Sequence, residues 1–272
     1  MSATPRETYS HGHAEPVLRS HRWRTAENSA GYLLPLLRPT ARLLDIGTGP
    51  GTITADFAAH LSAGTVTGLD NAPTAVAETR RLAAERGLRN LTVTQGDVYA
   101  LAYPDGAFDV VHAHQVLQHL ADPVAALREM SRVCAPDGIV AVRDADYAAM
   151  TWYPDRPGLH RWLQLYRQVA RHNGGEPDAG RRLVGWARAA GFTSVTATAS
   201  AWCFADRDDL DWWSETWADR LLGSSFGEQA VRLRFTDATE LAALAAAWRS
   251  WAQEPDAWFA VLHGEGICRR SA

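Results

Sequence analysis

The residues best placed to do chemistry stand close together near the start of the chain. Leu43-Leu44-Asp45-Ile46-Gly47-Thr48-Gly49-Pro50-Gly51-Thr52 reads as a short buried strand, a glycine turn and the first turn of a helix. Three glycines at alternate positions leave bare main chain where side chains would otherwise stand, and each can take φ > 0 without steric cost. The helix that follows offers free N–H groups and a positive dipole end. Together these features predict a nucleotide-like cofactor site at the carboxyl end of the first strand of an open α/β sheet.

The spacing narrows the ligand. A dinucleotide fingerprint needs G-x-G-x-x-G. Here the run is Gly47-x-Gly49-x-Gly51, and Thr52 stands where the third dinucleotide glycine would fall. Asp45 sits two residues before the first glycine. A carboxylate there repels a pyrophosphate and attracts a sulfonium or an ammonium.

Asp45-x-Gly47-x-Gly49-x-Gly51 resembles the first motif of class I S-adenosylmethionine-dependent methyltransferases. Later segments are similar to the small-molecule branch of that superfamily, the group that includes ubiquinone/menaquinone-biosynthesis methyltransferases. The resemblance runs from about Arg19 to Tyr147 and speaks to the cofactor more than to the acceptor. It implies S-adenosylmethionine as cofactor, held by Asp45, Gly47, Thr48, Gly49 and Gly51 of the turn.

Thr65 to Asp70 reads as the second strand. Asp70 at its end can accept both hydroxyl protons of a ribose, since each carboxylate oxygen has lone pairs to spare. Asn71 beside it is placed to help seat the adenine. A helix cap before Pro73 is the structural alternative. After the third strand, Leu91 to Gln95, the family uses an acid for the adenine amine and the next N–H for a ring nitrogen. Asp97 and Val98 match those positions. The string Asp105-Gly106-Ala107-Phe108-Asp109-Val110-Val111 is a further family hallmark and leads into strand four. The resemblance brings the end of that strand, His114 and Gln115, to the methionine end of the cofactor.

Methyl transfer from a sulfonium is an in-line displacement with a neutral leaving group. The protein must mainly align the reactants and exclude water. A base is needed only if the acceptor has a proton to lose. His112, His114 and His119 cluster after strand four, and His119 and His114 are the candidate bases near neutral pH. No metal is expected, because His-x-His here lacks a carboxylate or cysteine at ligand spacing. Asp144 and Asp146 after strand five read as a helix cap or, less simply, as a magnesium site for a catechol.

Three blocks position these groups. Residues 1–25 are polar and aromatic and suit a lid over the cofactor, with Tyr9 reaching the acceptor. Residues 26–145 form the cofactor-binding core, beginning with a helix over 26–38 that Pro39 stops. Residues 146–272 form a helical cap plus the last strands. Ten of the eleven tryptophans lie after residue 150. Leu241, Leu244, Trp248 and Trp251 make one core stripe, and Leu210, Trp213, Trp217 and Leu221 another. Trp212 lies off that stripe and, with Tyr147, Trp152 and His119, is a candidate acceptor wall. The predicted fold is a Rossmann-like, doubly wound, seven-stranded mixed sheet with helical cap insertions.

Composition sets the outer bounds. The chain has 272 residues, 46% of them hydrophobic, and a net charge of −4. Nothing there suggests nucleic acid or an anionic membrane surface. No apolar run approaches the ~18 residues of a membrane span, and no signal peptide is expected. Three scattered cysteines fit a reducing, cytoplasmic setting. The expected partner is a small apolar or aromatic acceptor, with a homodimer left open. An NAD-dependent oxidoreductase, or a non-methylating enzyme such as a cyclase that uses the cofactor structurally, are the alternative readings.

Overall fold

A computed structural model describes residues 23–270. The lid expected over residues 1–25 therefore lies outside the described residues except for its last three, and so does Tyr9.

Thr25 opens α1 (Ala26–Ala30) through a capping box: its hydroxyl accepts from Asn28 N–H, and the Asn28 side chain accepts from Thr25 N–H. The predicted helix over 26–38 does not continue. Pro35 lacks an N–H and crowds the preceding turn, so the chain passes into a 3-10 turn at Leu34–Leu36. β1 (Arg42–Ile46), α2 (Thr52–His60), β2 (Thr65–Asp70), β3 (Leu91–Gln95) and β4 (Phe108–His114) match their predicted places, with α3 (Pro73–Glu85) after β2 and α4 (Pro123–Val133) after β4. Asp122 caps α4, accepting from Ala125 N–H at 2.9 Å ahead of Pro123.

β5 (Cys134–Ala145) begins earlier than its apolar run suggests, with a register shift near Phe108–Val110 where it joins β4. A 3-10 turn at Tyr147–Ala149 leads to the three-residue β6 (Thr151–Tyr153) and then α5 (Pro157–His172). α6 (Leu183–Ala189), β7 (Ser194–Phe204), α7 (Arg207–Gly223), α8 (Ser225–Arg232), α9 (Ala238–Ala252) and β8 (Trp258–Arg269) complete the described chain.

The strands form one mixed sheet in the order β3-β2-β1-β4-β5-β8-β6, with β7 on the other side of β8. β1 to β5 pair in parallel, and β8 runs antiparallel to β5, β6 and β7. β6 continues the line of β5 along β8, so the predicted seven-stranded sheet gains only this short eighth strand. Parallel strands covered on both faces read as apolar runs, as Leu43-Leu44 and Val110-Val111 do.

Two of the three core clusters pack the sheet's faces. The third joins the cap to β8, with Trp162, Trp217, Trp248 and Trp251 fully buried in it. Both predicted tryptophan stripes are core. Among the described residues the three cysteines are free, and no helix is long and apolar enough to cross a membrane.

Candidate functional site

The glycine turn is held open by geometry that only glycine satisfies. Gly47 and Gly51 have φ of 74° and 85°. A Cβ on Gly47 would stand 2.4 Å from Val116 Cγ2, and one on Gly51 would stand 2.6 Å from Thr79 Cγ2. Gly47 N–H donates to Leu69 C=O at 2.7 Å, and Gly49 N–H donates to Asp70 Oδ2 at 2.9 Å. The first turn is thereby tied to the end of β2. Asp70 Oδ1 accepts from Ala72 N–H at 2.9 Å, so the carboxylate also supports the start of α3.

These strand ends line a cavity of about 510 Å³, a size suited to a nucleoside-sized ligand. Every predicted cofactor residue except Gly51 lines it: Asp45, Gly47, Thr48, Gly49, Asp70, Asn71, Asp97, Val98, His114 and Gln115. Gly51 instead lies against Thr79 and caps α2. Sequence reasoning did not single out Glu78, Tyr99 or Arg24, which also line it. Asp45 does not point freely at the ligand. Its Oδ1 faces His112 Nδ1 at 2.7 Å and its Oδ2 accepts from the Thr54 hydroxyl, so it forms a charged wall with both oxygens engaged. Asp97 Oδ1 accepts from Tyr99 N–H at 2.9 Å, and Asn71 C=O accepts from Gln95 Nε2.

The lining tests the cofactor. Among the described residues four carboxylates, those of Asp45, Asp70, Glu78 and Asp97, face the cavity against one guanidinium, that of Arg24. A pyrophosphate would meet repulsion there, whereas a sulfonium, an amino group, ribose hydroxyls and an exocyclic amine find acceptors. The residues present fit S-adenosylmethionine.

Residues 37–193 match the model of a family described as a methyltransferase domain. The chain belongs to that family. It is 35% identical to an uncharacterized methyltransferase of Schizosaccharomyces pombe, over 96% of each chain. It is 29% identical to an Aspergillus luteorubrus protein described as a probable methyltransferase, over 94% of each. The crystal structure of the cyclase SpnF shares the fold, with a TM-score of 0.55 and 24% identity over 94% of this chain and 82% of that one. The protein is an S-adenosylmethionine-dependent methyltransferase, which sets the nicotinamide alternative aside.

The methyltransferase's histidines are differently placed from a set of bases. His119 lines the cavity; it is half-buried, and its Nε2 lies 3.0 Å from Gln118 Nε2. Burial, with the Arg24 charge behind it, pushes its pKa down to about 3. His114 also lines the cavity, and neither of its ring nitrogens has a hydrogen-bond partner among the described residues. Burial first, then Arg143 and Arg24, holds it well below its ordinary value. Forming an imidazolium next to guanidinium groups in a dry site is unfavourable. Both shifts run against protonation of His119 and His114 near neutral pH.

Other side chains set the floor of the site. Gln115 takes φ 52°, receives Arg24 Nη2 on its Oε1 at 2.8 Å and places its Nε2 2.8 Å from His263 Nε2. Behind it, buried Arg143 contacts Ser200 and Glu265 and lies 5.1 Å from the Trp202 ring. Burial, opposed by Glu265, brings the Arg143 pKa down to about 10. Asp144 does not cap the turn that follows β5. Its Oδ1 accepts from Gln118 N–H at 3.0 Å, and burial pushes its pKa up to about 8. Asp146 holds Arg181 through both oxygens. Among the described residues no cluster of three or more potential ligands is placed for a metal ion.

Next to the cofactor cavity, and sharing Arg24 and Gln115 with it, lies a second, aromatic cleft. Trp23, Tyr147, Trp202, Trp213 and Trp217 line it with Arg220. Tyr147 was anticipated. Trp152 and Trp212 are not walls of either cavity: Trp152 stacks on Phe259 with centroids 5.8 Å apart, and Trp212 packs against Trp23 and Phe204. The walls come from Trp213 and Trp217, which the helical pattern marked only as core.

Proposed function

We propose that the protein moves the sulfonium methyl of S-adenosylmethionine onto a small, largely apolar or aromatic metabolite in the cytoplasm. The aromatic cleft that adjoins the cofactor cavity across Gln115 and Arg24 carries this reading. Planar acceptors bind such walls through burial and ring contacts. When bound, the cofactor supplies an activated methyl and a neutral leaving group. The chain's own residues bind, orient and keep water away.

In this reading Asp70 takes the ribose hydroxyls, and Asp97, the Val98 N–H and Asn71 seat the adenine. The turn Gly47-Thr48-Gly49 and the strand end His114-Gln115 hold the methionine part. Gly51 acts one step back, by letting α2 pack against Thr79. His119 and His114 serve as neutral hydrogen-bonding and packing groups beside the methyl, and Tyr147 contacts the acceptor.

The test is product mass. Purified protein is incubated with S-adenosylmethionine and a panel of aromatic acids, phenols and amines. A product one methylene heavier than its acceptor, with stoichiometric S-adenosylhomocysteine, supports the proposal. A new product of unchanged mass would favour cyclisation or rearrangement with the cofactor bound structurally.

A further inference from the structure

We propose that His112 and Thr54 are positioning residues for the methyl donor: they fix the Asp45 carboxylate at the wall of the cofactor cavity, where its charge favours cationic S-adenosylmethionine over neutral S-adenosylhomocysteine. The proposal rests on the methyltransferase reading above. It goes further, to the groups that act behind the glycine turn and to the distinction between donor and product.

Three observations converge. The first is the register of the sheet. Asp45 of β1 and His112 of β4 are Cα partners across a parallel pair, so their side chains leave the sheet on the same face. His112 Nδ1 lies 2.7 Å from Asp45 Oδ1. An ionised carboxylate only accepts, so the shared proton belongs to Nδ1. Thr54, in the first turn of α2, donates its hydroxyl to Asp45 Oδ2 at 2.5 Å. Each carboxylate oxygen thus has its own donor, one from a strand and one from a helix.

The second is the burial of the cluster. His112, Thr54 and Asp45 are all buried. Phe57, one turn beyond Thr54 on α2, meets the His112 ring edge-on, with centroids 4.9 Å apart and planes at 79°. The ring is therefore held between the sheet and α2. Asp45 lines the cofactor cavity, and the other two stand behind it. A buried carboxylate is costly unless hydrogen-bonded, and these two donors offset that cost where the charge is needed. They also join β1, β4 and α2, whose ends supply Gly47, His114, Gln115, Thr52 and Ile53 to the cavity wall.

The third is where the charge falls. Asp45 lies two residues before Gly47, at the end of the strand that carries the glycine turn. In the reading above that turn and the end of β4 hold the methionine part, while Asp70 and Asp97 serve the ribose and the adenine. Asp45 is then the acid of the sulfonium end. Sulfur is positive in the donor and neutral in the product. Coulomb attraction depends on distance, so a carboxylate locked in place discriminates between them more sharply than a mobile one.

The test titrates the full chain calorimetrically with S-adenosylmethionine and, separately, with S-adenosylhomocysteine. His112→Leu removes the Nδ1 donor, His112→Asn keeps an N–H near the place of Nδ1, and Thr54→Val removes the hydroxyl while keeping its shape. The dissociation constant for S-adenosylmethionine should rise about tenfold or more in His112→Leu and about threefold or more in Thr54→Val. The rise for S-adenosylhomocysteine should be clearly smaller in both, and His112→Asn should recover most of the loss. Asp45→Asn, which deletes the charge itself, should show the same bias against the cationic ligand. If His112→Leu does not fold, Thr54→Val and Asp45→Asn carry the comparison. Unchanged affinity for S-adenosylmethionine, an equal loss for both ligands, or His112→Asn as weak as His112→Leu would overturn the proposal. Failure of the wild type to bind either ligand would instead count against the cofactor assignment.

Discussion

The main-chain N–H of Gly49 donates to Asp70 Oδ2 at 2.9 Å, so the turn after β1 is latched to the end of β2. One carboxylate fixes the shape of the turn and also lines the cavity proposed for the cofactor. Asp70→Ala removes both roles. The dissociation constant for S-adenosylhomocysteine should rise about tenfold or more, since a hydrogen bond to a charged group contributes ~1.5–3 kcal/mol. Isothermal calorimetry checks it, and unchanged affinity would remove Asp70 from the site.

Gly47 and Gly185 make a matched pair of alanine substitutions. At Gly47, with φ 74°, a Cβ meets Val116 Cγ2 at 2.4 Å, so Gly47→Ala should cost about 1–3 kcal/mol of stability and weaken cofactor binding. At Gly185, inside α6, a Cβ meets nothing within 4 Å. Gly185→Ala should raise stability by about 0.5–1 kcal/mol. Urea denaturation measures both, and a shift of the same sign in the two variants would contradict the geometry.

His119 is held neutral by burial, with its pKa pushed down to about 3. A kcat profile between pH 6 and 8 should therefore show no limb that belongs to it. His119→Gln should slow transfer through lost positioning yet leave the shape of the profile unchanged. Disappearance of a limb near neutral pH in the variant would restore His119 as a base.

Asp144 makes stability depend on pH in the opposite sense from the buried histidines. Its pKa in the fold is raised by burial from 3.8 to about 8. The folded state therefore holds a proton that the unfolded chain releases above about pH 4. Its contribution is complete below pH 4 and is lost as pH rises toward 8, at up to about 1.4 kcal/mol per unit. Asp144→Asn retains an oxygen for the Gln118 N–H and removes the titration. Its stability relative to wild type should climb between pH 5 and 8. A constant difference across that range would refute the assignment.

Arg143 and Glu265 are 1% and 6% exposed and meet at 3.3 Å. Arg143→Met alone strands the Glu265 carboxylate in the interior and should cost about 3–5 kcal/mol. Adding Glu265→Gln should recover a large part of that loss. Chemical denaturation of the single and double variants reads the coupling, and strict additivity would show that the two side chains act independently.

The cofactor half was legible because its signal is local. Alternate glycines, strand-end acids and apolar strands all fall within short windows, and nearly every position singled out there faces the cavity. Gly51 is instructive in missing it: its αL conformation serves helix packing. The acceptor half was less legible. Trp213 and Trp217 share a stripe with Leu210, and periodicity says that such a stripe is covered without saying whether helix or cleft covers it. Trp212 looked freer only because it was off the stripe. Arg24, Trp202, Arg220 and His263 come from segments far apart in the chain, and no spacing rule joins them. The lowered pKa of His119 was not legible either, because a sequence carries no measure of desolvation. Pro35 was the one readable sign passed over, since a proline three residues into an apolar run already argues against an unbroken helix.

The register of the last two long strands has an evolutionary corollary. Phe204, which ends β7, lies opposite Phe259 near the start of β8, so α7, α8 and α9 leave the sheet and return to it at neighbouring points. Such a bundle is an insertion between two paired strands. Helices inserted there can differ in length while β7 and β8 stay paired, provided the residues that pack on Phe204 and Phe259 are kept.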